Sequence, residues 1–241
     1  MKFEKFKPCH VIVRAVDRRP IFTDVEDCSR YIFQVYATNI GKPSYNIFRK
    51  NVVYIADELL RGNETPWKIV INKISPLVDI LSFALVNDHA HFILSPNVED
   101  GIPKYIHKVS LSFAKYYNNR HKREGVLFNK PYRIIPLDTV ADLDNTMRYV
   151  NVKTALDVYN PDWKKGIENW KKAFDFVDGY KYSSYQDLFG NRDSKLLASK
   201  DIVCKYLGGE INKDKIKNID FIEQYINGEM EENKKIFLEK S

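Results

Sequence analysis

The apolar positions of the chain fall into short β-type runs and helical stripes. HVIVRAV (10–16) is a β-rich run, and the DRRP after it reads as a turn. DVEDCSRYIFQVYATN (24–39) reads as a helix closed by Gly41-Lys42-Pro43, 51–60 as a second helix, and RGNETP as a loop. LVDILSFALV (77–86) and HAHFIL (89–94), joined by Asn87-Asp88, read as two strands around a tight turn, both apolar enough for the centre of a sheet. Residues 95–103 read as loop. Ile106, Val109, Phe113 and Tyr117 then recur at spacings of three and four, which predicts an amphipathic helix over 104–118. VLF and YRIIPL, on either side of NKP, are expected to pair as further strands. Thr139-Val-Ala-Asp142 has the form of a capping box opening a helix through about Lys153, with Leu143, Met147 and Val150 as its stripe. NPDWKKG breaks that helix; ENWKKAFDFV and the tail from Asp201 read as helical, with SSYQDLFGN a turn-rich connection. No repeat is visible. Strands, hairpins and helices in this order predict an α+β fold around an antiparallel sheet.

At 241 residues, with 44% hydrophobic and 29% charged positions, the chain has the balance of a folded domain with a sizeable core rather than of a disordered or fibrous protein. No apolar run reaches the roughly 18 residues of a membrane span. The start, MKFEKFKPCH, has no apolar stretch behind its lysines and does not read as a secretory signal. Cys9, Cys28 and Cys204 form no C-x-x-C pair and read as reduced thiols acting as small buried hydrophobes, so the expected setting is the cytoplasm.

Charge changes the picture through its distribution. The net charge is +6, yet 104–133 alone holds eight basic residues (Lys104, Lys108, Lys115, Arg120, Lys122, Arg123, Lys130, Arg133) against Glu124. Tyr105, Phe113, Tyr116, Tyr117, Phe128 and Tyr132 are interleaved with them, a mixture suited to a phosphate backbone and unstacked bases. The same run is equally a solvated helix face with its own core aromatics. Arg14, Arg18 and Arg19 add cations around the first strand, while the tail from 210 is acidic on balance.

His89 and His91 are the sharpest chemical feature. Alternate residues of a strand share a face, so two imidazoles separated by one residue can grip one metal ion, with Ala90, Phe92 and Leu94 turned to a core behind. The plain alternative is two hydrogen-bonded histidines at a strand end.

HVIVRAVDRRPIF, LVDILSFALVNDHAHFILSP, KYIHKVSLSFAKYYNNRHKREGVLFNKPYR and the later DGYKYSSYQDLFG together resemble the REP-associated tyrosine transposases, a bacterial branch of the single-tyrosine HUH transposases. The likeness runs in order over about 10–208, with 46–75 as an insertion. It implies a ferredoxin-like antiparallel sheet flanked by helices, the HUH endonuclease fold. The implied catalytic domain is 1–158, followed by a mainly helical extension over 159–241. It also implies a tyrosine hydroxyl that attacks single-stranded, hairpin-forming DNA to leave a 5′-phosphotyrosine and a 3′-hydroxyl, aided by magnesium or manganese. A tyrosine with a pKa of about 10 is a weak nucleophile and needs such help.

Of fifteen tyrosines, the block that aligns with the family's nucleophile is Tyr149-Val-Asn-Val-Lys153. Tyr149 lies off the Leu143, Met147 and Val150 stripe and is expected to point away from it; Tyr116 and Tyr117 fit better as helix packing and DNA stacking. The family's metal-binding amide four residues on, one helical turn away, is Lys153 here, which cannot coordinate a cation while protonated. Asn145, one turn earlier, is the substitute ligand beside His89 and His91, and Asn151 is expected to point elsewhere. The family's asparagine before the first histidine is Asp88. The implied phosphate contacts are Arg14, Arg18, Arg19, Lys115, Arg120, Lys122, Arg123 and Arg133. GYKYSSYQDLFG either recognises a hairpin foot or packs a C-terminal helix. Three readings stay open: a metal-dependent strand transferase, nucleoid-associated when bound to DNA and acting as monomer or homodimer; a relative that binds structured DNA without cutting it; and an unrelated metal-dependent hydrolase resting on the histidine pair alone.

Overall fold

The computed structural model describes residues 7–44 and 51–211. In chain order the first elements are β1 (Cys9–Arg14), α1 (Val25–Asn39), β2 (Lys42–Pro43), α2 (Val52–Leu60), β3 (Val70–Ile71), β4 (Val78–Val86) and β5 (His89–Pro96). They are followed by α3 (Gly101–Arg120), β6 (Arg133–Pro136), α4 (Val140–Arg148), a π-helical turn (Tyr149–Lys153), α5 (Thr154–Tyr159), α6 (Trp170–Gly179), α7 (Tyr185–Leu188) and α8 (Lys200–Leu207).

The main sheet has the order β4-β5-β1-β6, and every neighbouring pair in it is antiparallel. With α1 between β1 and β4, and α3 between β5 and β6, this is the β-α-β-β-α-β arrangement of ferredoxin-like folds. The α+β sheet flanked by helices is therefore as the sequence implies. Strand alternation divides the core in two. Val11, Val13, Phe83, Leu85, Ala90, Phe92 and Leu94 face α1, α2 and α3, where Tyr31, Ile32, Ile55, Ile106 and Phe113 complete one cluster. On the other face Leu81, Ala84 and Ile93 pack against Leu143, Met147 and Val150, with Leu188 and Val203 from the C-terminal helices. A third cluster joins Val152, Ala155 and Leu156 to Trp163, Ala173, Val177 and Tyr185. The C-terminal helices thus cover sheet and tyrosine helix rather than standing apart.

Local signals place the helix starts. The Asp24 side chain accepts from the Glu26 and Asp27 amides and caps α1. Thr139 and Asp142 form the reciprocal capping box of α4: the Asp142 amide donates to Thr139 Oγ1 at 3.0 Å and the Thr139 amide to Asp142 Oδ2 at 2.9 Å. Thr139→Ala should cost about 1 kcal/mol. In a chain of this size that lowers the thermal midpoint by roughly 2–4 °C, measurable by circular dichroism; an unchanged midpoint would deny the cap its role.

Several expectations change. VLF does not pair with YRIIPL: β6 pairs with the first half of β1, and Phe128 bridges Ala15 beyond it, so both segments line one edge of the same strand. The loop after the hairpin is shorter than 95–103, because β5 runs to Pro96 and α3 starts at Gly101. The helix expected to end near Lys153 passes through the π turn and ends at Tyr159. Only Cys28 is buried; Cys9 and Cys204 are half-buried. The inserted segment holds α2, which packs on α1, and β3, which pairs with β2; 45–50 lie outside the described residues, as does the predicted helical tail beyond 211. Among the described residues no helix is long and apolar enough to cross a membrane.

Candidate active site

Sheet register assembles the site. Directly opposed residues of neighbouring strands share a face, and the pairs Ala84–His91, His91–Ile12 and Ile12–Arg133 form one row across the four strands. The next rows are Val86–His89–Arg14 and Ser82–Ile93–His10–Ile135. His10, His89 and His91 therefore lie with Arg14 and Arg133 on the face that α4 and the π turn cross. Ala90, Phe92 and Leu94 are in the opposite core, as the alternation predicts.

His10 is the member that the sequence reading missed. The signal was available: with Val11 and Val13 facing the core, period two turns His10, Ile12 and Arg14 to the histidine side. His10 Nε2 and His91 Nδ1 are 2.9 Å apart, with rings stacked at 5.1 Å. The His89 and His91 rings are 4.6 Å apart. Burial holds the His91 pKa well below the ordinary imidazole value, and the nearby His89, His10, Lys153 and Arg14 oppose its protonation further. His89 Nδ1 lies 2.5 Å from Asp88 Oδ1. Burial alone would raise the Asp88 pKa, but the hydrogen bond and charge of His89 and the charge of Arg14 bring it below the usual carboxylate range.

Tyr149 opens the π turn and is 4% exposed. Its ring meets His91 edge-on at 5.6 Å and His10 at 5.8 Å. The expectation that it points away from its helix stripe does not hold: Tyr149 packs with Leu143, Met147 and Val150 on the sheet, because α4 lies flat on the histidine face. π-helical turns recur at functional sites, and this one spans the segment from Tyr149 to Lys153. The Lys153 ammonium lies 5.1 Å from the Tyr149 ring centre and 2.5 Å from Asp157 Oδ2. Asn145 is half-buried one turn earlier and accepts the Tyr149 amide through its backbone carbonyl.

Asn151 is fully buried and locks this helix to the sheet. Its Nδ2 donates to Ser82 Oγ at 2.9 Å and to the Met147 carbonyl at 2.7 Å; its Oδ1 accepts from Ser184 Oγ at 2.7 Å. Ser82 and Ser184 are 2.9 Å apart, and the Phe83 amide donates to Ser184 Oγ. The later block is thus a structural clamp: Ser183 bridges Ala84, the Leu85 amide bonds the Tyr182 carbonyl, and the Ser184 amide bonds the Phe83 carbonyl along the β4 edge.

The nominated DNA contacts separate into groups. Arg14 and Arg133 border the histidines, with Arg14 4.0 Å from Asp88. Arg18 and Arg19 are exposed in the turn after β1. Lys115 and Lys122 are exposed on the α3 side, where Lys115 lines a cavity of about 580 Å³ with Leu111, Val126, Lys130 and Tyr132. Arg120 is held by Asp24 at 2.7 Å, Glu26 at 3.2 Å and Asp27 at 2.5 Å, and Arg123 donates to Asn118 and to the Gly125 and Val126 carbonyls. Those last two guanidinium groups brace helix and loop, which makes them weaker partners for phosphate. Tyr116 donates to Asp27 and the Tyr117 ring lies tilted against His121, both away from the strand histidines.

Two imidazoles here suit a divalent ion. The buried His91 Nε2 has no hydrogen-bond partner among the described residues, and donation from Nδ1 to His10 leaves a lone pair on it. The Asp88 carboxylate favours the His89 tautomer with its proton on Nδ1 and its lone pair on Nε2, the usual way a carboxylate orients a metal-binding histidine. No cluster of three or more His, Cys, Asp or Glu suited to a metal occurs among the described residues, so an ion here would draw its remaining ligands from other donors.

Residues 65–153 match the family model of IS200-like transposases, a stretch that contains the hairpin, both strand histidines and Tyr149. A solved structure of a REP-associated tyrosine transposase bound to a REP hairpin is similar at 10% identity, covering 83% of this chain and 92% of that chain, with a TM-score of 0.42. No curated protein matches the chain.

Proposed function

We propose that this chain, an IS200-like transposase in its residues 65–153, is a DNA strand transferase that cuts single-stranded, hairpin-forming DNA with Tyr149 as nucleophile. The observation that carries this reading is the meeting of two distant segments: the Tyr149 ring packs against His91 within one chain, inside the matched stretch.

In the proposed reaction Tyr149 Oη bonds to the scissile phosphorus and the bond from phosphorus to the 3′-oxygen breaks. The phenol gives up one proton and the departing oxygen takes one. The product is a 5′-phosphotyrosine and a free 3′-hydroxyl, and attack by a 3′-hydroxyl reverses the step on the same or another strand. The phosphodiester energy is kept in the adduct, so no nucleotide is consumed. His89 and His91, with Asn145 as a third donor, would hold a magnesium or manganese ion, which supplies polarisation of the phosphate oxygens when bound. Asp88 orients His89, and His10 orients His91. Arg14 and Arg133, flanking the histidines, draw the phosphate backbone onto this face, and Arg18 and Arg19 extend the track. Residues 1–158 form the catalytic domain in this reading, with 46–75 inserted and 159–241 as extension. Because tyrosine and histidines belong to one chain, a monomer suffices. Its place is the bacterial cytoplasm, on the nucleoid when bound.

The test is a denaturing gel with labelled hairpin-forming single strands in manganese and in chelator. A manganese-dependent covalent adduct is expected. Lys153 in the amide position favours a second reading, a binder of structured DNA that no longer cuts; it would retard DNA on a native gel and leave no adduct.

Phosphate contacts also set salt dependence. Each one lost from a single strand flattens the slope of log affinity against log salt by about 0.7. Replacing Arg18 and Arg19 together by alanine should therefore flatten it by about 1.4. A slope equal to that of the wild type would remove these arginines from the DNA path.

A further inference from the structure

We propose that Lys153 is the fixed cation of this site, its ammonium set beside the Tyr149 phenol to neutralise charge on the tyrosyl and phosphate oxygens during strand transfer, and that Asp157 is its positioning residue. The inference rests on Tyr149 as the nucleophile and adds a catalytic group to that reading.

The placement is specific. Lys153 is 7% exposed, although a lysine on a helix normally extends into water. Its ammonium is shared between the Tyr149 ring face at 5.1 Å and Asp157 Oδ2 at 2.5 Å. The carboxylate is itself pinned, since its Oδ1 accepts from the indole of the fully buried Trp163 at 2.8 Å. The order Trp163, Asp157, Lys153, Tyr149 is therefore a line of side chains ending at the Tyr149 ring face. An ion pair with a buried ammonium and a half-buried carboxylate adds little to stability over apolar residues of the same volume, so stability alone does not account for it.

Its position accounts for it better. A pre-placed cation in a site poor in water stabilises developing phosphoryl charge without reorganisation. An ammonium has three donors, so it can offer one to an arriving phosphate while another stays on Asp157. Lys153 also brings its positive field close to the histidines, because the Tyr149 ring that its ammonium faces at 5.1 Å packs on His91 at 5.6 Å. The same field opposes a divalent ion there. Lys153 thus takes over part of the charge neutralisation and makes the strand histidines a weaker metal site.

The experiment compares wild type with Lys153→Met, Lys153→Gln, Lys153→Arg and Asp157→Asn, all checked for folding by circular dichroism. Manganese affinity of the DNA-free proteins is read by electron paramagnetic resonance, and single-turnover adduct formation is read at saturating manganese. Lys153→Met and Lys153→Gln should bind manganese about tenfold more tightly, with Lys153→Arg unchanged. Adduct formation should fall about 100-fold in Lys153→Met and return to within about tenfold of wild type in Lys153→Arg. Asp157→Asn should slow adduct formation with hairpin affinity unchanged. Wild-type rates in a folded Lys153→Met, failure of folded Lys153→Arg to rescue, or unaltered manganese affinity would each overturn the proposal. Cleavage by wild type with Lys153→Met unaffected overturns this inference alone, whereas no adduct from wild type overturns it together with the strand-transfer reading.

Discussion

Tyr149→Phe should bind hairpin-forming DNA as the wild type does and form no covalent adduct with it. The substitution removes one oxygen and keeps the ring that packs edge-on against His91 at 5.6 Å and His10 at 5.8 Å. Stability should therefore change by no more than about 1 kcal/mol. Loss of a nucleophile, by contrast, removes the reaction channel, and adduct formation should fall by at least about 10³-fold. The check is a denaturing gel of both proteins with labelled DNA, run beside a native gel. An adduct that survives the substitution would assign the chemistry elsewhere, with Tyr116 and Tyr117 next to be replaced. That outcome would move the site to the other side of the sheet, because both belong to α3, where the Tyr116 hydroxyl donates to Asp27 and the Tyr117 ring lies tilted against His121 with centroids 4.1 Å apart. It would also separate the nucleophile from the histidines, so this single substitution tests the assembly of the whole site.

What was legible in the sequence was local. Asn87-Asp88 between two apolar runs gives the hairpin, Thr139 and Asp142 give a cap through bonds three residues apart, and alternation along 89–94 gives the histidine face. What was not legible depends on register between distant segments. Arg120 looked like a phosphate contact within a basic run, yet its acidic partners are 96 and 93 residues earlier, in the cap and first turn of α1. His10 joins His91 across 81 residues, because β1 inserts between β5 and β6. The block around Tyr149 gives its position in the chain but not its direction. A helical wheel shows which residues share a stripe; it does not show that a π turn and a flat helix bring the flanking tyrosine onto the sheet as well. Lys153 was visible as a departure from the amide pattern. Its burial and its link to Trp163 through Asp157 required the chain beyond the matched segment to fold back.

The same folding back makes Asn151 the second strong prediction. Two residues after Tyr149, it is expected from its spacing to point elsewhere; it is the fully buried hub between Ser82 of β4, the Met147 carbonyl and Ser184 of the C-terminal block. Asn151→Leu would leave these polar groups to satisfy one another without their common partner, at a cost of roughly 3 kcal/mol. For a chain of this length the thermal midpoint should fall by roughly 6–12 °C. Ser184→Ala in the same background should add less than it does in the wild type, because both substitutions break one network. Activity should fall with stability even at temperatures where the variant is fully folded. The network fixes the register of the π turn on β4, and hence the distance from Tyr149 to His91. A displacement of about 1 Å at a reacting group can cost on the order of 100-fold in rate. Thermal denaturation and adduct formation at low temperature, measured on the same preparations, check both halves. A stable variant with normal cleavage would mean that the C-terminal block merely covers the sheet edge, while a stable variant that cleaves slowly would still make the clamp the element that aims the tyrosine.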